Sequence, residues 1–220
     1  MATLEAHMTK LQAVNQMLRS INEQPVSQLA SGQVDAENAE DVLDEVSRRI
    51  QAQGWHANTR RGVTLSKNAS NEFAVGTNVM RVDTVNPDSP RRAASPSPSA
   101  FYNVALRRDQ ADTKWLLYDV DNDSETWATG PSELTVDIVE YLAFSGLPVY
   151  LQTYIYKAAA HEFQKTAVSS QVLWQFTQED VRDEMVNAVQ ADSEAEDRNV
   201  FRNHRPAWEV VYRFNPLYNT

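Results

Sequence analysis

His161 and Glu162 stand side by side, and the pair resembles the opening of a zinc-peptidase helix, where two histidines four residues apart hold the metal and the glutamate between them acts as base. The second histidine's position is Lys165, so that chemistry is excluded. Asp119, Asp121, Asp123 and Glu125 resemble the start of a calcium loop, but the sixth place is Ser124 instead of Gly. The twelfth is Gly130 where a bidentate glutamate belongs. A hairpin turn from Tyr118 to Thr126 is the better reading, because Asp and Asn stabilise turns through their own backbone. His7, His56 and His204 are far apart and have no ligand spacing.

Nucleophilic and phosphate-binding signatures are missing too. The chain has six glycines and none forms a phosphate-cradling cluster, no Gly-x-Ser-x-Gly elbow occurs, and there is no cysteine. Paired carboxylates are abundant, which makes them uninformative about glycoside hydrolysis, a reaction that needs a set separation across a cleft. Three arginine pairs, Arg60–Arg61, Arg91–Arg92 and Arg107–Arg108, could meet carboxylates or phosphates across an interface; in an acidic chain they read more simply as solvated charge. The residues therefore predict no catalytic site, no metal and no cofactor.

The elements that would position any site follow from periodicity. Met8, Leu11, Val14, Leu18 and Ile21 recur at three- and four-residue steps and predict an amphipathic helix, closed by Asn22 in a left-handed conformation and blocked by Pro25. A second helix is predicted over 35–53, with Asp35 as N-cap, the stripe Ala36, Ala39, Leu43, Val46 and Ile50, acids at its start, Arg48 and Arg49 at its end, and Gly54 closing it. Between Trp55 and about Tyr141 the period falls to two. Strands are expected in the runs Phe73–Val75, Val79–Val85, Phe101–Leu106, Trp115–Tyr118 and Leu134–Val139, with Leu134, Val136 and Ile138 on one face. The Pro- and Ser-rich stretch 86–99 predicts a flexible surface loop.

Pro148 opens a third predicted helix with Leu151, Ile155, Ala158, Ala159 and Phe163 on one face. A fourth carries Trp174, Val181, Met185 and Ala188 inward and an acidic outer face, which reads either as a solvated face or as channel lining. The segment from Asn199 to Thr220 is rich in aromatics without helical period. It must cover a surface, either its own β region or a neighbouring subunit. These readings give an α+β chain: a four-helix bundle from the N- and C-terminal parts, an inserted antiparallel β domain, and an extended C-terminal arm. The expected extents are 1–55 and 148–198 for the bundle halves, 56–147 for the β domain and 199–220 for the arm. Phe201, Trp208 and Phe214 are the expected subunit-interface anchors, because aromatic side chains dominate interface energies.

At 42% apolar and 23% charged residues the chain reads as an ordinary soluble protein. No run is long enough for a membrane span and the opening residues predict no signal peptide, so no membrane anchor is expected. A net charge of −10, from 30 acidic against 20 basic residues, disfavours gripping nucleic-acid phosphates but suits a wall past which DNA must slide.

The segments LQAVNQMLRSINEQPVSQLASG (11–32) and DAENAEDVLDEVSRRIQAQGWHANT (35–59) resemble the tail tubular protein A family of short-tailed bacteriophages. GVTLSKN (62–68), NVMRVDTVN (78–86), LYDVDNDSETW (117–127) and HEFQKTAVSSQVLWQFTQED (161–180) are similar to it in the same order. The family tends to show Gly and a second Pro after the first helix, where this chain has Asn22 and Gln24. The resemblance implies a virion protein assembled in the host cytoplasm, an adaptor ring of twelve copies. That ring would join the portal protein to the tail nozzle protein (tail tubular protein B), with its arm embracing a neighbour and genome DNA passing through without specific binding. An alternative is a virion-associated polysaccharide or peptidoglycan hydrolase, and a third is an acidic decoy for host DNA-binding proteins.

Overall fold

The computed structural model describes residues 6–84, 102–167 and 171–195. Four helices and two small antiparallel sheets make up an α+β chain. They fall into two compact units, one of residues Met1–Asn58 with Val139–Asp192, the other of Thr59–Ile138 with Ser193–Thr220.

In the first unit α1 (Lys10–Ser20) starts at a capping box. The Gln12 N–H donates to Thr9 Oγ1, and the Thr9 N–H donates to Gln12 Oε1. It ends as the sequence predicts: Asn22 is left-handed at φ 63°, Asn22 N–H donates to the Arg19 carbonyl, and Glu23 N–H reaches back to Leu18 at 3.0 Å. That pair of bonds is the Schellman closure, with Asn in the place glycine usually takes.

The second helix, α2 (Val34–Gln51), differs from expectation at its start. Its N-cap is Gln33, which makes no side-chain cap bond, while Asp35 lies inside the first turn. There its charge, with that of Glu37, still meets the positive end of the helix dipole. Gly54, at φ 83°, takes the chain out of the helix, and the Trp55 indole N–H donates to the Ile50 carbonyl.

Helix α3 (Val149–Ala167) follows Pro148, whose carbonyl accepts the Gln152 N–H. Its face of Leu151, Ile155, Ala158, Ala159 and Phe163 is buried with Val14, Met17 and Leu18 of α1 and with Leu43, Val46 and Ile50 of α2 in one apolar core. Three buried amides tie this core to the segments that enter and leave it. Gln51 donates to Ser47 and the Leu142 carbonyl and accepts the Leu142 N–H. Asn58 donates to the carbonyls of Gln51 and Glu140. Gln152 accepts the Met8 N–H and donates to the carbonyls of Met8 and Phe144. Each amide replaces water for backbone groups that helix ends and turns leave unpaired. Helix α4 (Gln171–Ala195) contributes Ala188 to the core, with Val181 packed against it.

The second unit holds β1 (Thr59–Ser66), β2 (Ala74–Val75), β3 (Val79–Thr84), β4 (Val104–Arg108), β5 (Trp115–Asp119) and all but the last two residues of β6 (Glu133–Glu140). One sheet has the order β1-β6-β3 and the other β2-β5-β4. In the latter Ala74 pairs with Leu116, and Leu106 with Leu117. Leu134, Val136 and Ile138 are buried along β6, as the alternation predicts, and they pack with Phe73, Val82, Leu117 and Trp127.

Two strand expectations shift. β1 was not among the expected runs, and β4 begins at Val104, three residues into the run expected from Phe101. Gly62, at φ 66°, interrupts the alternation of β1, which explains why its pattern is weak. The expected loop 86–99 and arm 199–220 lie outside the described residues.

Candidate interaction surfaces

The residues that resembled catalytic or metal motifs have structural partners. His161 Nδ1 lies 2.7 Å from Thr177 Oγ1 of α4, whereas Glu162 pairs with Arg49 of α2, so the two side chains serve different neighbours. Burial lowers the His161 imidazole below its usual range, outweighing the nearby Glu162 charge, and favours the neutral ring. Asp119 accepts the N–H groups of Asp121 and Asn122 and closes a bridge to Ser124, which is the expected hairpin turn. The Tyr118 hydroxyl bonds to Asp123. Among the described residues no group of three His, Asp or Glu side chains is arranged to hold a metal ion.

Of the arginine pairs, Arg107 stacks 3.8 Å above the Tyr118 ring and Arg108 lies 5.4 Å from the Trp115 ring while bonding to Asp112. They brace β4 against β5. Arg60 and Arg61 lie on β1, and Arg91 and Arg92 lie outside the described residues. His7 lines a polar surface groove of about 500 Å³ beside α1, with Gln12, Asn15, Gln16 and Arg19. His56 is held elsewhere, its backbone N–H donating to Asp192. The structure therefore does not gather the histidines into a site, and His204 lies outside the described residues, as do the expected anchors Phe201, Trp208 and Phe214.

Helix α4 is the surface element that the sequence pattern resolves least well. It lies along α3 through three polar rungs in antiparallel order: Tyr150 to Asp192, Lys157 to Glu184 and His161 to Thr177. Met185, predicted to face inward, is 44% exposed, beside Val186 at 60% and Val189 at 46%. The correction has a geometric cause. At about 100° per residue, Met185 lies roughly 50° off the line through Val181 and Ala188, turned toward Val189 and Val186 at the edge of the stripe. The helix thus has three sectors. One faces the core through Val181 and Ala188; one flank is apolar, with Met185, Val186 and Val189; the far side carries exposed Glu179, Asp180, Asp183 and Glu194. Trp174 lies in α4, in its first turn.

Helix α4 is thus divided into core, apolar and acidic sectors. In comparison with known families, the family model described as tail tubular protein matches residues 11–95 and 101–198.

The chain belongs to the tail tubular protein family. Both matched blocks run through the two compact units, so membership covers the helical core and the sheets together. No curated protein matches the chain. As a tail tubular protein it has a structural role in the tail of a phage virion, where it assembles with other tail proteins. No helix of the described residues is long and apolar enough to cross a membrane.

Proposed function

We propose that this tail tubular protein is the adaptor ring, of twelve copies, that joins the portal protein to the tail nozzle protein (tail tubular protein B) and forms part of the channel for DNA ejection. The observation that carries the reading is the sorting of α4 into a core-facing sector, an apolar flank and an acidic far side, in a chain of net charge −10. A ring subunit must bury apolar surface against neighbours, and a channel wall must repel phosphates instead of holding them. In this reading α1 to α4 complete a four-helix bundle from residues 1–55 and 148–198. The sheets of 56–147 form a separate domain, and residues 199–220 form an arm in which Phe201, Trp208 and Phe214 anchor a neighbouring subunit. The role is mechanical, with no catalytic step, and assembly takes place in the host cytoplasm.

Electron microscopy of virions made with and without this protein tests the proposal. Heads that package DNA, leak it and carry no nozzle are expected without it. Intact tailed particles of normal appearance would sink the adaptor reading and move wall or capsule hydrolysis to the front.

A further inference from the structure

We propose that α4, from Thr177 onward, is a releasable strap. It lifts off α3 as a unit while α1, α2 and α3 stay folded, and the polar rungs between α3 and α4 set how readily it lifts. The device belongs to a single chain and is independent of the ring.

The two sides of α3 are built differently. Toward the apolar core it presents Leu151, Ile155, Ala159 and Phe163, buried with Val14, Leu18, Leu43 and Val46. Toward α4 it presents Tyr150, Lys157 and His161, at positions i, i+7 and i+11, the spacing at which packed helices ordinarily meet through apolar side chains. Each of these positions carries a polar group instead: Tyr150 reaches Asp192 at 2.8 Å, Lys157 reaches Glu184 at 2.7 Å, and His161 reaches Thr177 at 2.7 Å. All three bonds are only part-buried, so water can replace either partner as the helices separate. Over residues 177–195, α4 gives the core Ala188, with Val181 half-buried against it, while Met185 and Val186 stay exposed. Burial stabilises in proportion to the apolar area taken from water, so lifting this part of α4 loses little, whereas parting α1, α2 and α3 breaks whole stripes. Partial opening runs through elements with few buried apolar contacts. The polar seam in turn fixes register, because a shift by one helical turn separates Lys157 from Glu184. Lifting uncovers the line Tyr150, Lys157 and His161 on α3, a surface that a partner reaches only in the open state.

Introduced thiols test the strap, because the chain has no cysteine. In the full-length chain Ala188→Cys places a thiol beneath α4, and Ala159→Cys places one in the core that α1, α2 and α3 share; the native side chains are 1% and 0% exposed. Maleimide labelling in sub-denaturing urea is expected to be about 100-fold or more faster at Ala188→Cys, and to depend weakly on urea, as an opening that exposes little surface does. Amide exchange in the unsubstituted chain should show the same contrast between residues 177–195 and α2. Replacing Lys157 and Glu184 together by Leu makes the middle rung apolar and is expected to slow labelling of Ala188→Cys about tenfold. The same rate and urea dependence for both thiols, or for the amides of α4 and α2, would overturn the strap. A fast rate at Ala188→Cys that the leucine pair leaves unchanged would overturn the role given to the polar rungs.

Discussion

The Tyr150 hydroxyl donates to Asp192 Oδ1 at 2.8 Å, and the same carboxylate accepts the His56 backbone N–H at 3.0 Å to each oxygen. One side chain near the end of α4 thereby holds the start of α3 and the turn after α2. Replacing Tyr150 by Phe removes one of these bonds and is expected to destabilise the protein by about 1 kcal/mol. Asp192→Ala leaves two donors without their partner and costs more, about 1–2 kcal/mol, both read from urea unfolding. Burial first, then the bond to Asp192 and its charge, raise the Tyr150 phenol far above its ordinary range. A raised folded pKa means this stabilisation is complete below the unfolded value of about 10 and is lost as pH rises beyond it. Tyr150→Phe is therefore expected to flatten the alkaline limb of the stability profile. An unchanged limb would show that the hydroxyl is not held as described.

The far rung of the same ladder, His161 with Thr177, responds to acid. His161 is lowered by burial, so the folded state favours the neutral ring, and its stabilisation is present above the unfolded value of about 6.5 and fades as pH falls through the lower folded value. The protection of amides along α4, taken relative to the intrinsic exchange rate at each pH, is expected to fall between pH 7 and 5 in the native chain, and to change less in His161→Gln. Lys157, paired with Glu184 at 2.7 Å, stays charged across that range and holds the middle of the helix.

Gly62 donates its N–H to Asp137 Oδ1 at 2.8 Å from a φ of 66°, with nothing within 4 Å of where a Cβ would sit. Gly62→Ala therefore meets no clash, only the conformational cost of a left-handed alanine, about 1–2 kcal/mol. Thermal unfolding checks it: a loss much larger than this would mean the side chain does collide.

These sites mark where sequence reading succeeds and where it stops. Asn22 and the alternation of Leu134, Val136 and Ile138 were legible because local backbone geometry and period two or 3.6 fix them without help from distant residues. Asp35 misled because caps are set within one residue, and Gln33, which makes no cap bond, took the position instead. Met185 misled because a long helix with three sectors has no single stripe. Gln51, Asn58 and Gln152 left no signal at all; each bonds backbone that is near only after folding, up to 144 residues away for Gln152 and Met8. The apolar flank of α4 became visible only when its neighbours were in place.

Trp127 separates the two units experimentally. Its ring is buried, edge-on to Phe73 at 5.4 Å and to Tyr102 at 5.5 Å, and its indole N–H donates to the Leu117 carbonyl at 2.9 Å. Trp127→Ala removes the largest side chain of the sheet core and should cost about 3–5 kcal/mol. Trp127→Phe keeps most of the ring but strands a buried carbonyl, for about 1–3 kcal/mol. The helical core around Leu43, Leu151 and Ile155 contains no part of this cluster. Amide exchange is therefore expected to rise across β1 to β6 in Trp127→Ala while α2 and α3 keep their protection. Equal loss in α2 and α3 would mean that the chain unfolds as one cooperative block, so that damage to the sheets would also remove the helices.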